Sequence, residues 1–265
     1  MASSSLNSKR QPPHTPPHKT MTSRLQPLSP EQHLGLGLRP APNWAFCRTL
    51  DAVPITLPEF ADLVGAHPIV FSAGPAPQPL AVLGAQPGLN DFLDTDLQWP
   101  RHQPLPAVLK HHPFAMGVDP THAQRAVVML DTADARLVPL EEDDTAQPLF
   151  TFDGRPSPTL SAITQQLGAH WAALQDTVAL GRALHDAGLL VDLRAEVRLS
   201  DGSTHTTRSF RSVNASAFRQ LQPALLSAWF QRGWTDAIAL HLASLRRWTQ
   251  LFERRQPAAA PHAGT

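Results

Sequence analysis

The chain has no tyrosine and one cysteine among its 265 residues, and its 22 basic side chains are matched by 22 acidic ones. A lone Cys47 excludes an intramolecular disulfide and any multi-cysteine metal site, which fits a reducing compartment. It reads as a small buried apolar residue rather than a nucleophile. Balanced charge offers nothing to a polyanion, so neither nucleic acid nor an anionic membrane is expected as the partner. No stretch reaches the roughly 18 consecutive apolar residues of a membrane-spanning helix. No secretory h-region opens the chain, so a cytoplasmic location is expected.

Proline is abundant instead, at 27 residues, and apolar residues make up 42% of the chain, enough to bury a core. The prolines crowd the first 160 positions, which predicts short extended segments and turns there. Residues 1–24 are expected to form a disordered tail, since Pro12-Pro13 and Pro16-Pro17 sit among Ser, Lys, Arg and His with no apolar block. Met21 is a candidate for the true translation start. Residues 25–255 are expected to form a single α+β domain, and 256–265 a second disordered tail.

Within that domain the residues predict a helical turn over Pro58–Val64 and strands at Pro68–Phe71 and Leu80–Leu83, with Asn90–Leu93 pairing back as a hairpin arm. Pro106–His111 suits one or two helical turns. Ala126–Leu130 is a continuous apolar run, expected in the middle of a sheet. Glu141–Asp144 reads as a solvated loop, and Leu149–Phe152 as a short strand ended by Asp153-Gly154. Ser157 and Pro158 then open a long helix whose Leu160, Ile163, Leu167, Trp171, Leu174, Val178 and Leu184 recur at helical spacing up to a Gly188 cap. Gly168 and Gly181 are weak spots in it.

A strand follows, with Val191, Leu193, Ala195, Val197 and Leu199 on one face and Asp192, Arg194, Glu196 and Arg198 on the other. It turns through Ser200–Ser203 into a second arm over Thr204–Phe210. Asn214 caps one helix, Pro223 begins another, and a last helix runs from about Thr235 to Arg254 with Ile238, Leu242, Leu245, Trp248 and Leu251/Phe252 as its buried stripe. The expected class is α+β: a strand-rich, Pro-rich N-terminal half and a helical C-terminal half with one inserted β-hairpin.

Chemistry is harder to find. The 13 histidines include no His-Glu-x-x-His, and none has Asp or Glu two positions on, so no metal is expected. His111 and His112 diverge by about 100 degrees if helical and cannot both face one site. Gly35-Leu36-Gly37 lacks the third glycine of a dinucleotide loop, and neither a phosphate loop nor a Gly-x-Ser-x-Gly elbow is present, so no cofactor is expected. Asp91, Asp94 and Asp96 cluster beside Trp99. A calcium loop starting at Asp94 would need Gly where Trp99 stands and Glu where Leu105 stands. Asp153-Gly154-Arg155-Pro156-Ser157 could receive an anion at a helix start, though a turn plus a cap explains the same residues. The catalytic candidates are Asp94, Asp96, His111, Asp153 and Arg155; the binding candidates are Trp44, Trp99, Asp91, Asp153, Arg155 and Ser157, with Trp229 as a further exposed aromatic.

Taken in order, several segments resemble the SapC family, bacterial proteins named for an association with surface layers. They are Pro40–Phe46, Val53-Pro54 with Glu59-Phe60, His67–Phe71, Leu80–Gly84, Gly88–Trp99, Leu105–Ala107 with His112–Phe114, Leu149-Phe150 with Asp153-Gly154 and Pro156-Ser157, Gly188–Leu190, Asp201-Gly202 and Leu240–Leu245. The likeness covers about residues 25 to 252. Members tend to carry Tyr where this chain has His67 and His111 or His112, which implies aromatic packing there. The resemblance supplies no established reaction and no catalytic residue. It implies a surface-layer link, and a cytoplasmic accessory role near flavin-dependent halogenase-like proteins and outer-membrane receptors. The leading expectation is a non-catalytic protein that binds a peptide or protein partner. The rivals are an enzyme using the Asp91/Asp94/Asp96 loop or the Asp153–Ser157 turn, and a surface-layer structural component.

Overall fold

Short strands separated by prolines build the first half of the chain in a computed structural model that describes residues 25–254 apart from 41–43, 120–121, 123–124, 195, 199–203 and 208. The two expected tails and the Ser200–Ser203 turn lie outside the described residues. In chain order come β1 (Leu25–Pro27), α1 (Pro30–His33), β2 (Leu36–Leu38), β3 (Ala52–Pro54), α2 (Phe60–Leu63), β4 (Ile69–Phe71) and β5 (Pro79–Val82). They are followed by α3 (Ala107–His111), β6 (Phe114–Val118), β7 (Ala126–Asp131), β8 (Leu137–Pro139) and β9 (Gln147–Pro148). The second half contains α4 (Pro158–Asp186), β10 (Leu190–Leu193), β11 (Glu196–Arg198), β12 (Thr204–Thr206), β13 (Phe210–Val213), α5 (Ala215–Arg219), α6 (Pro223–Gln231), α7 (Trp234–Ser244) and α8 (Arg247–Glu253). This is the α+β arrangement expected, with helices gathered toward the C-terminus.

A five-stranded antiparallel sheet, ordered β10-β13-β4-β5-β3, carries the main core. β4 and β5 are buried at every residue, so they read as unbroken apolar runs without alternation. Phe60 and Leu63 of α2, Ile238 of α7 and Leu251 of α8 fill this core. A second cluster, built on Phe114, Leu130, Leu149, Phe150, Leu160 and Leu167, includes residues of the β1-β7-β6 sheet, where β7 is central as expected.

Helix α4 joins the two clusters. Its Leu160 and Leu167 belong to the second, and its Leu180 and Leu184 to the first. Its start is fixed as the sequence predicts, with the Leu160 N–H donating to Ser157 Oγ at 3.1 Å. Gly188 closes it at φ +64. The two internal glycines differ. A Cβ on Gly168 would meet nothing within 4 Å, whereas one on Gly181 would lie 1.9 Å from the Pro77 carbonyl oxygen. Gly181 is therefore a point of close contact between helix and loop.

Four expectations are corrected. The strand over 188–199 is broken, because β10 pairs with β13 in the large sheet while β11 pairs with β12 in a separate ribbon. On β10 the buried residue is Leu190, and Val191 is 42% exposed. Alternation marks which side chains share a face, but β10 is an edge strand and neither of its faces is fully covered. Asn90–Leu93 forms no strand: the Asn90 carboxamide receives the Phe92 N–H at 3.0 Å and donates to Cys47 O at 3.2 Å, local bonds that compete with a ladder. Near Leu149–Phe152 the strand is β9, followed only by a Phe150–Pro156 bridge. The last helix divides into α7 and α8, where Ser244 Oγ bonds His241 O at 2.6 Å and the chain passes through turns closing three residues back.

Candidate functional site

Two carboxylates of the Asp91–Asp96 loop hold nearby backbone N–H groups. Asp94 Oδ1 accepts the N–H groups of Asp96 and Gln98 at 2.9 and 2.8 Å, and Asp91 Oδ2 accepts the Ala85 N–H at 2.7 Å. This is an Asx-type turn. Trp99 is buried, stacks on Phe92 at 5.1 Å and donates its indole N–H to Gln103 O. Trp229 is also buried, edge-on to Trp234, and Trp44 is half-buried, 6.2 Å from Trp99. The exposure expected of Trp99 and Trp229 is not found, because each indole is large enough to fill core space.

His67 and His112 pack as aromatic rings do. His67, fully buried, stacks on Phe92 at 4.2 Å, and His112 stacks on Phe46 at 3.7 Å. His67 has Val82 O and Pro104 O at 3.1 and 3.2 Å from its two nitrogens, although a neutral imidazole has one N–H to give. Burial pushes its pKa down to about 4 against the pull of those carbonyls. His112 Nε2 lies 2.7 Å from Asp134 Oδ2, both side chains being almost wholly buried. Burial raises the Asp134 pKa, but His112 and Arg136 together outweigh it and hold the carboxyl well below its usual range.

His111 belongs to a cluster that sequence reasoning missed. Its ring stands edge-on to His170 of α4, with centroids 6.1 Å apart, and His170 Nδ1 lies 3.6 Å from Glu59 Oε2. Burial, then the neighbouring His170 and Lys110, lower the His111 pKa. Glu59 is already committed: it takes the Thr56 N–H at 2.7 Å on one oxygen and the Ala107 N–H at 2.7 Å on the other, tying the start of α2 to the start of α3. The Thr56-x-x-Glu59 spacing of a capping box was the available signal, but the reach to Ala107 and His170 is tertiary. Among the described residues no group of three or more His, Cys, Asp or Glu side chains is set to hold a metal.

The Asp153–Ser157 segment is a tight hairpin with an exposed tip. The Gly154 N–H returns to Thr151 O at 2.8 Å, Gly154 adopts φ +78, and the Thr151 N–H bonds Arg155 O at 2.8 Å, the pattern of a three-residue loop closed by a left-handed glycine. Arg155 Nε stands 3.0 Å from Asp153 Oδ2 in an open ion pair, and Ser157 is buried and spent on its cap. Just before them, Phe152 is wholly exposed, at 102%. Sequence reasoning placed Phe152 in a strand; its position just before Asp-Gly was the signal that it sits in a turn.

Two surface clefts lie among the described residues. One surface cleft is lined by Gln32, Gly35, Leu36, Pro139, Leu140 and Glu141. Another, of about 350 Å³, lies between Leu57, Ala61, Ala173, Asp176, Arg232 and Asp236. None of the catalytic candidates lines either one. Among known families, the one described as SapC matches residues 28–251 of the chain. The chain belongs to the SapC family. No curated protein and no solved structure matches it. This SapC chain has, among its described residues, no helix long and apolar enough to cross a membrane.

Proposed function

We propose that this SapC-family chain is a non-catalytic accessory protein that binds a protein or peptide partner, and that Phe152 anchors the contact beside Asp153 and Arg155. The observation that carries this reading is a fully exposed phenylalanine on a turn fixed by its own hydrogen bonds. Leaving such a ring in water forgoes roughly 1.5–3 kcal/mol of burial. A pre-ordered aromatic flanked by a charged pair is the composition of an interface anchor with a polar rim. Of the residues of the rival enzyme reading, Asp91 and Asp94 are instead engaged with nearby backbone N–H groups and Ser157 with a helix cap. The proposed setting is the cytoplasm, and the resemblance makes flavin-dependent halogenase-like proteins and outer-membrane receptor systems the first partners to try.

Affinity capture from the native host with the full chain and with Phe152→Ser tests the proposal. A reproducible partner reduced about tenfold or more by the substitution supports it, the scale of an anchor residue. No reproducible partner, or one held equally by both chains, overturns it. Recovery of the chain in surface assemblies rather than in the cytosol would favour the surface-layer alternative.

A further inference from the structure

The balanced charge of the chain conceals a segregation. Residues 1–24 carry Lys9, Arg10, Lys19 and Arg24 and no acidic side chain. Taking those four from 22 leaves 18 basic side chains against 22 acidic ones over residues 25–265. Part of that acidic excess lies beside one cleft.

The cleft, of about 460 Å³, has apolar walls of Leu36, Pro139 and Leu140, with Gln32 of α1 and Glu141 as its polar members. The Leu140 N–H donates to Gly35 O at 2.9 Å and ties its two sides together. Glu142, Asp143 and Asp144 follow Glu141 directly, and Glu31 precedes Gln32 on α1. Asp143 is paired with Arg39 at 2.7 Å, and Arg136, just before β8, is taken by Asp134. Glu31, Glu141, Glu142 and Asp144 are exposed, and none has an ion-pair partner among the described residues.

The basic segment is attached close by. Leu25 opens β1, and Gln32 of the cleft wall comes seven residues later, at most about 25 Å away. Fifteen residues separate Arg10 from Leu25, enough to span up to about 50 Å, so every basic residue of the segment can reach the cleft.

We propose that residues 1–24 dock in this cleft of their own chain, with Pro12, Pro13, Pro16 and Pro17 against Leu36, Pro139 and Leu140 and the flanking basic side chains toward Glu141, Glu142 and Asp144. Proline restricts a chain before it binds, so a Pro-x-x-Pro segment such as Pro13–Pro16 loses less entropy on docking than an ordinary one. The covalent tether supplies an effective concentration in the millimolar range, so weak contacts suffice. Opposite charges at an exposed site make the contact sensitive to salt. Phe152 does not line the cleft, and either proposal can fail without the other.

Trypsin digestion of the full chain, followed by mass spectrometry at the bonds after Arg10 and Lys19, is the test. Cleavage follows the population of the undocked segment, so at low salt Glu141→Gln/Glu142→Gln/Asp144→Asn should be cut about fivefold or more faster than wild type. Salt at about 0.5 M should bring wild type to the rate of that variant. Asp186→Asn/Asp192→Asn/Glu196→Gln changes the net charge equally, at exposed residues beginning about 40 Å along α4 from the Thr159 that bonds Gln147, and should cut as wild type does. Equal rates in wild type and the cleft variant overturn the proposal. So does an equal acceleration in the distant variant, which would mean general charge attraction. Protection that disappears on dilution also overturns it, because the docked segment would then belong to a second copy.

Discussion

His241 Nδ1 of α7 stands 2.7 Å from the carbonyl oxygen of Ile69, 172 residues earlier in the chain. The opposite ring nitrogen accepts the Val213 N–H at 3.1 Å, so one buried imidazole bonds two strands of the same sheet. Three residues on, Ser244 Oγ receives the Ile69 N–H at 2.8 Å. β4 and β13 share a single register pair, Arg211 with Phe71, and these two side chains satisfy the Ile69 backbone beside it. The hydrogen bonds fix a tautomer, with the proton on Nδ1.

Replacing His241 by Phe keeps most of the volume and removes both bonds. Each orphaned buried group costs about 1–3 kcal/mol, so the denaturation midpoint should fall well below wild type. A loss within about 0.5 kcal/mol would show that the imidazole is only a space filler.

Burial lowers the pKa of both His67 and His241 to about 4. An unfolded histidine titrates near 6.5. Between those values the unfolded chain takes up protons that the folded chain refuses. Stability is therefore complete above about pH 6.5 and declines as pH falls toward 4, by about 1.4 kcal/mol per pH unit for each histidine. Asp134, depressed by His112 and Arg136, loses its contribution only at lower pH, below about 3.8. Urea denaturation across pH 7 to 4 should give a slope that His67→Phe reduces; an unchanged slope would contradict the assignment.

Cys47 is fully buried, and burial lifts its thiol pKa to about 11 against the hydrogen bond from Asn90. Iodoacetamide at neutral pH should leave it unmodified in the native protein and label it in denaturant, as mass spectrometry will report. Rapid native labelling would mean that the core opens locally there.

The two glycines of α4 should respond in opposite directions. Gly168→Ala should stabilise by about 1 kcal/mol, through helix propensity alone. Gly181→Ala should destabilise by about 1–3 kcal/mol, because its methyl group must displace the Pro77 backbone. Thermal melts of the two variants shifting in the same direction would refute the contact.

Phe152→Ser, the variant for partner capture, should leave the denaturation midpoint within about 0.5 kcal/mol of wild type, since the ring touches no core. A larger loss would make it a folding residue and remove it as an anchor.

The sequence by itself determined the parts whose cause is local. Ser157 and Asn214 cap helices because their side chains reach backbone N–H groups two or three residues ahead, and Gly188 ends α4 because a left-handed residue is needed there. The central position of β7 followed from its unbroken apolar run, and the family followed from ordered short motifs. Only the tertiary structure decided which apolar faces find a partner. It buried Trp99 and Trp229, exposed Val191 and Phe152, and gave two similar helical glycines unlike surroundings. It also brought Glu59, His111 and His170 together from three elements. Periodicity fixes which side chains point together along one element, but the chain that covers them, or bonds them as Ile69 and Val213 bond His241, arrives from far away in sequence, where no local pattern records it.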